Sequence, residues 1–261
     1  MLLDFDAHVH TEYCGHAPGM TIAKIIEKSN LLHIKSLLIA EHIFSPKETA
    51  LINKIKDEVS KIDSQCKILV GAEVDVDGSM TDGSLTASNE SLKDADLIIG
   101  AVHYIPGVGN YPRSPMENPL EPEELLKLWR SSLLGMLKNP AVDILAHPGR
   151  LPAAALDLDI YFDDMISVLR EAAKISADNG VAWEINNLTC SRLAPAIMGR
   201  WHETIQVAID AGVKITYGSD SHSPDEILKQ GYVQQIIKKL KNFTGFVSPA
   251  DIKKYKDETK N

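Results

Sequence analysis

Cysteine is scarce in this 261-residue chain, with Cys14, Cys66 and Cys190 the whole complement. An odd number at wide spacing suggests neither a disulfide framework nor a zinc site built on thiolates. Cys14, lying between two candidate metal ligands, is expected to be a bystander. Aromatic residues make up 6%, and nowhere do they interleave with basic residues into a stripe that would stack on a nucleic-acid strand. Positive charge is in deficit: a net charge of -9 disfavours broad binding to duplex nucleic acid, whose phosphates are met by a basic surface. No run approaches the roughly 18 uninterrupted apolar residues of a membrane span. The opening Met-Leu-Leu-Asp-Phe-Asp lacks the basic start and long apolar run of a secretion signal, so a cytoplasmic protein is expected. With no internal repeat and no long low-complexity linker, a single domain over residues 1–261 is the simplest account.

What is present is an ordinary globular composition, 44% apolar and 24% charged. Seven short apolar, often β-branched runs stand out, at residues 3–10, 36–42, 67–74, 97–103, 142–147, 181–187 and 213–219. Each has the length of a buried strand. Between them lie helix formers: Thr21 to Leu32, Pro46 to Ile62, Pro122 to Leu137, Phe162 to Asn179 and Trp201 to Ala211. The alternation predicts a parallel sheet with right-handed crossovers. Thr21 reads as an N-cap, and Asn179-Gly180 and Ala211-Gly212 read as helix stops. Ser223-Pro224 and Ser248-Pro249 read as further helix starts, and the lysine-rich end from Lys253 to Lys260 as a solvated tail. Two long connections, 75–88 and 104–121, are candidates for a pocket wall or lid.

The polar residues fall in a pattern. Each run ends on side chains able to bind metal or substrate: His8 and His10, His42, Glu73, His103, His147, Glu184 with Asn186 and Asn187, and Asp220 with His222. In parallel α/β barrels the strand C-termini open on one face, where active sites gather. Of nine histidines only His33 and His202 fall outside the pattern, and these are expected on helix surfaces or in packing. His8 and His10, two apart on a strand, share a face, with Asp6 behind them to orient a ligand histidine. With His16 on the following loop, the inventory is His8, His10, His16, His42, Glu73, His103, His147, Asp220 and His222. Nine ligands are too many for one ion and suit two or three. Nitrogen and oxygen donors fit zinc, manganese or iron better than calcium or magnesium.

These motifs, in order His8-x-His10, Glu41-His42, Gly71-Ala72-Glu73, Val102-His103, Ala146-His147-Pro148 and Gly218-Ser219-Asp220-Ser221-His222, resemble those of the PHP (polymerase and histidinol phosphatase) superfamily. The resemblance implies an α/β fold, a distorted (β/α)7 TIM-like barrel with its active site at the strand C-terminal face, holding a trinuclear centre that hydrolyses phosphate esters. It implies that His8, His10, Glu73 and Asp220 hold one ion, that Glu73 bridges to a second held by His103 and His147, and that His16, His42 and His222 hold the third. The second motif departs from the usual Thr-Asp-His, reading Ala40-Glu41-His42. His147-Pro148-Gly149-Arg150 and Glu184-Ile185-Asn186-Asn187 look more like stand-alone phosphoesterases of the family.

The expected chemistry is hydrolysis of a small metabolite's phosphate monoester by a metal-bridged hydroxide, with histidinol phosphate the first candidate substrate. Arg150 and Arg192 follow strand ends, where a guanidinium fork can take two phosphate oxygens, and Arg113 is a weaker candidate. Asp220, His222 or metal-bound water would protonate the leaving group. Two alternatives stand beside this: a nucleotide or oligonucleotide phosphoesterase, and a metal-binding regulatory module without turnover.

Overall fold

The computed structural model describes residues 3–105, 109–110 and 120–259. Its strands are β1 (Phe5–Val9), β2 (Ser36–Ile43), β3 (Lys67–Asp75), β4 (Ile98–Ala101), the short pair β5 (Tyr104–Ile105) and β6 (Gly109–Asn110), β7 (Ile144–Leu145), β8 (Ala182–Asn186) and β9 (Ile215–Gly218). Seven of them form one parallel sheet in the order β1-β2-β3-β4-β7-β8-β9. The sheet curls until its edges meet: Val9 bridges Ser221 in parallel, Asp220 N–H donates to the His8 carbonyl at 2.8 Å, and His10 N–H to that of Ser221 at 3.1 Å. The result is a nearly closed, distorted (β/α)7 barrel, as expected.

Around it run α1 (Ile22–Leu31), α2 (Ala50–Ser60), α3 (Pro122–Met136), α4 (Arg150–Ala155), α5 (Leu158–Asn179), α6 (Asn187–Arg192), α7 (Pro195–Arg200), α8 (His202–Asp210), α9 (Gly231–Ile237) and α10 (Pro249–Thr259). The Thr21 side chain accepts from Lys24 N–H at 3.3 Å and so starts α1. Gly180, at φ 71°, ends α5 in the left-handed region. Alternation divides each strand between two environments. Leu38 and Ala40 of β2 face the barrel interior with Leu69, Ile99, Ala101 and Ala182, while Leu37, Ile39 and Ile43 pack outward beneath α1 and α2. Among the described residues no helix is long and apolar enough to cross a membrane.

Three local expectations are corrected. Ser223-Pro224 opens only a single 3-10 turn, Pro224–Glu226. The lysine-rich end is not a solvated tail: it is α10, which packs on β1, β2 and β3. Its Ile252 is buried with the barrel-interior residues, and Lys256 pairs with the buried Asp143 at 2.6 Å. The 75–88 connection folds back on α3. A Cβ on Gly83 would come within 2.4 Å of the Ser132 carbonyl, so chain and helix touch backbone to backbone. Most of the 104–121 connection lies outside the described residues.

Candidate metal centre

The nine expected side chains arrive at the mouth of the barrel from its strand ends. All but His16 and His222 are less than a tenth exposed. Their ring nitrogens face one another in pairs at close range. Nε2 of His8 lies 3.1 Å from Nε2 of His10, Nε2 of His103 lies 3.2 Å from Nε2 of His147, and Nε2 of His16 lies 3.0 Å from Nε2 of His222.

Glu73 stands between the first two pairs. Its Oε2 is 3.5 Å from His8 Nε2 and 3.6 Å from His10 Nε2, and its Oε1 is 2.9 Å from His147 Nε2 and 3.6 Å from His103 Nε2. Asp220 Oδ1 closes the first group at 3.2 Å from His10 Nε2. His42 Nδ1 lies 2.8 Å from Glu73 Oε2, yet neither atom has a hydrogen-bond partner, because the N–H and lone-pair directions do not match. His42 also falls within reach of His10 and His222.

The far nitrogens of four of these rings are tied to acceptors. His8 Nδ1 donates to Glu184 Oε1 at 2.9 Å and His103 Nδ1 to Asp75 Oδ2 at 2.7 Å. His16 Nδ1 donates to the Cys14 carbonyl at 2.9 Å and His222 Nδ1 to that of Asp220 at 3.0 Å. Proton on Nδ1 leaves a lone pair on Nε2, so the imidazoles of the His16–His222 pair point lone pair at lone pair. A cation between them, whether a metal ion or a shared proton, would satisfy both lone pairs. Two nitrogens about 2.0–2.1 Å from one zinc at angles of about 90–110° stand about 3 Å apart, which matches all three pairs.

Charge points the same way. Glu41, Glu73, Asp75, Glu184 and Asp220 are all buried, and among the described residues none pairs with lysine or arginine. Uncompensated carboxylates at such depth are costly, and bound dications would offset them. Without metal, protons take that role. Burial pushes His8 down but the Glu184, Glu73 and Asp220 carboxylates overcome it, so its pKa is raised well above the usual imidazole value. Burial, with the Glu73 carboxylate beside it, lifts Asp75 to about 8. Burial holds His103 down at about 4 against the pull of Glu73, and Arg150 pushes the same way.

Chain geometry is bent to assemble this. His147 and Asp220 sit at φ 29° and 57°, a region L-residues seldom adopt. Gly218 is required by close approach: a Cβ there would lie 1.8 Å from Glu184 Oε1 and 2.6 Å from His8 Cβ. Glu184, besides holding His8, accepts from His147 N–H at 2.9 Å and from Asn186 Nδ2 at 3.0 Å.

Asp6 is a correction. Its carboxylate reaches no imidazole; it accepts backbone N–H from Ser219 at 2.9 Å and Leu228 at 2.9 Å, pinning β1 to the chain beyond β9. The register of β1 on β2 shifts between Asp6 and Val9, so simple alternation fails there. Burial lifts this carboxyl to about 6. The orienting roles fall to Glu184 and to Asp75, the latter two residues after Glu73 on one strand face.

A cavity of about 370 Å³ opens over the cluster, walled by Phe44, Leu188, Glu226, Arg150 and Arg192. Both expected arginines therefore face the same space as Glu73, His103 and Asp220. Arg113 lies outside the described residues. His33 is exposed after α1, and His202 begins α8, both away from the cavity.

Comparison with known proteins gives concordant matches. Residues 6–188 match the model of the PHP domain family. A probable phosphatase of Thermoanaerobacter sp. (strain X514) is 27% identical over 250 residues, covering 93% of this chain and 87% of that protein. A probable phosphatase of Clostridium acetobutylicum is 26% identical over 240 residues, covering 89% and 84%. Among solved structures, the histidinol phosphate phosphatase of Lactococcus lactis, complexed with zinc, L-histidinol and phosphate, superposes with a TM-score of 0.69 at 20% identity, covering 95% of this chain and 96% of that one.

Proposed function

The chain belongs to the PHP domain family and is a metal-dependent phosphatase, and from that premise we propose that it is a cytoplasmic, single-domain enzyme hydrolysing a phosphate monoester of a small metabolite, with histidinol phosphate the first candidate. The observation carrying this reading is the shared cavity. Its floor is the imidazole–carboxylate cluster and its wall holds two guanidinium groups without carboxylate partners among the described residues. The Lactococcus lactis neighbour, solved with L-histidinol and phosphate, supports the choice of substrate to try first.

In this reading His8, His10, Glu73 and Asp220 hold one ion, Glu73 with His103 and His147 a second, and His16, His42 and His222 a third. Bound zinc, manganese or iron supplies an activated water near neutral pH and neutralises charge developing on the phosphoryl oxygens. The chain does the rest. Arg150 and Arg192 grip phosphoryl oxygens and turn the ester so that its scissile bond faces the cluster. Phe44 and Leu188 shape the cavity around the substrate body and exclude water. Asp220 and His222 line the same cavity, but as ligands they have no proton to spare, so the proton for the departing alkoxide would come from water held beside them.

The test is a rate comparison on metal-loaded protein with histidinol phosphate and with nucleotide 3′- and 5′-phosphates. Faster turnover of histidinol phosphate, lost in His8→Ala, is the expected result. Preference for nucleotides would move the assignment to a nucleotide phosphoesterase, and no turnover of any phosphoester would leave a metal-binding module. Arg150→Ala and Arg192→Ala should each raise KM by about tenfold, the value of one charge-assisted contact.

A further inference from the structure

We propose that Cys14, expected from its sequence position to be a bystander, is a thiolate ligand of the outermost metal position, making it a mixed imidazole–thiolate site that prefers zinc to manganese. The inference rests on the metal centre proposed above and puts Cys14 in the place given there to His42 at the third position. Cys14 ends the short 3-10 turn Glu12–Cys14, and Gly15, at φ 78°, reverses the chain so that His16 returns beside it. The sulfur of Cys14, a ring nitrogen of His16 and a ring nitrogen of His222 lie within 4.8 Å of one another.

A second observation points to a cation there independently of the thiol. The two Nε2 atoms oppose each other at 3.0 Å, while both Nδ1 atoms are tied to carbonyl oxygens, which only accept. The carbonyl holding His16 is that of Cys14 itself, so the residue that would share the ion also orients its neighbour's ring. His42, by contrast, falls into groups with His10 and His222 and with Glu73 and His103, and not into one with His16.

Two imidazoles and one thiolate make a donor set that suits zinc, and soft sulfur disfavours manganese. As the sulfur–metal bond forms, the S–H proton passes to solvent. The tetrahedral fourth corner is left for water or a phosphoryl oxygen. Cys66 and Cys190 are buried elsewhere and offer no competing thiol.

Metal-free protein reconstituted with cobalt(II) tests this. A near-ultraviolet thiolate-to-cobalt charge-transfer band is expected in the parent protein and in Cys190→Ser, and its loss is expected in both Cys14→Ser and Cys14→Ala. On equilibration with zinc and a large excess of manganese, elemental analysis should show a lower zinc-to-manganese ratio in the Cys14 variants than in the parent protein. A band that persists in those variants, or cobalt bound by the parent protein without any band, overturns the thiolate while leaving the metal centre intact. Failure of the parent protein to take up any cobalt overturns both.

Discussion

The two ends of the barrel are built on opposite principles. At the floor, Leu38, Leu69, Ile99 and Ile252 fill the interior with apolar atoms, and a buried carboxylate there, Asp143, receives Lys256. At the mouth, the same strands carry five buried carboxylates and a ring of imidazoles, with His147 and Asp220 in a rarely used backbone region. The floor is satisfied by the chain's own groups. The mouth is not, which indicates that its stability and its chemistry both depend on something bound there.

The sharpest way to break that contrast is Glu73→Gln, which removes the charge shared by two pairs of imidazoles. Activity should fall at least about a thousandfold with the circular-dichroism spectrum preserved. Next in size is metal removal. Chelation should cost about 4 kcal/mol of stability if the ions are held at about a thousand times their dissociation constant, seen as a lowered urea midpoint. An unchanged midpoint would show that the mouth, like the floor, is self-sufficient.

The pH dependence of metal-free protein comes third. Burial holds Asp6 at about 6 when folded against 3.8 as its ordinary value. The folded value is raised, so the associated stability is present below about pH 3.8 and is lost as pH rises through about 6. The loss amounts to about 3 kcal/mol at most. Urea midpoints of parent and Asp6→Asn should diverge in slope between pH 4 and 6, and parallel curves would contradict the assignment. Asp75→Asn should then weaken metal affinity by about 10–100-fold, since Asp75 holds the His103 ring through its far nitrogen. Smallest is Ile252→Val at the floor, costing about 1 kcal/mol with activity per folded molecule unchanged.

Much of this contrast could be read from residue order. Strand C-termini share one end of a parallel barrel, so polar residues closing seven apolar runs had to converge, and the family motifs placed the same residues. What alternation could not supply was the break in β1. Asp6, His8 and His10 look like one face, but the register shift turns Asp6 away to the backbone of Ser219 and Leu228. Asp75 did carry a signal, because it follows Glu73 by two on the same strand, yet its partner His103 comes from another strand and local spacing does not reveal it. The lysine content of α10 suggested a tail because Ile252 is apolar among charges, and only tertiary packing shows which of its faces is covered.

Closure of the sheet between β1 and the chain beyond β9 sets an order of events at the ribosome. His8 emerges before Glu184, Asp220 and His222, which follow more than 170 residues later, and α10 comes later still. A chain growing from its N-terminus therefore displays half a set of imidazoles to the cell's metal pool before the carboxylates that complete it exist. A complete donor set for the first or the third ion thus exists only once β1 and the chain beyond β9 have met.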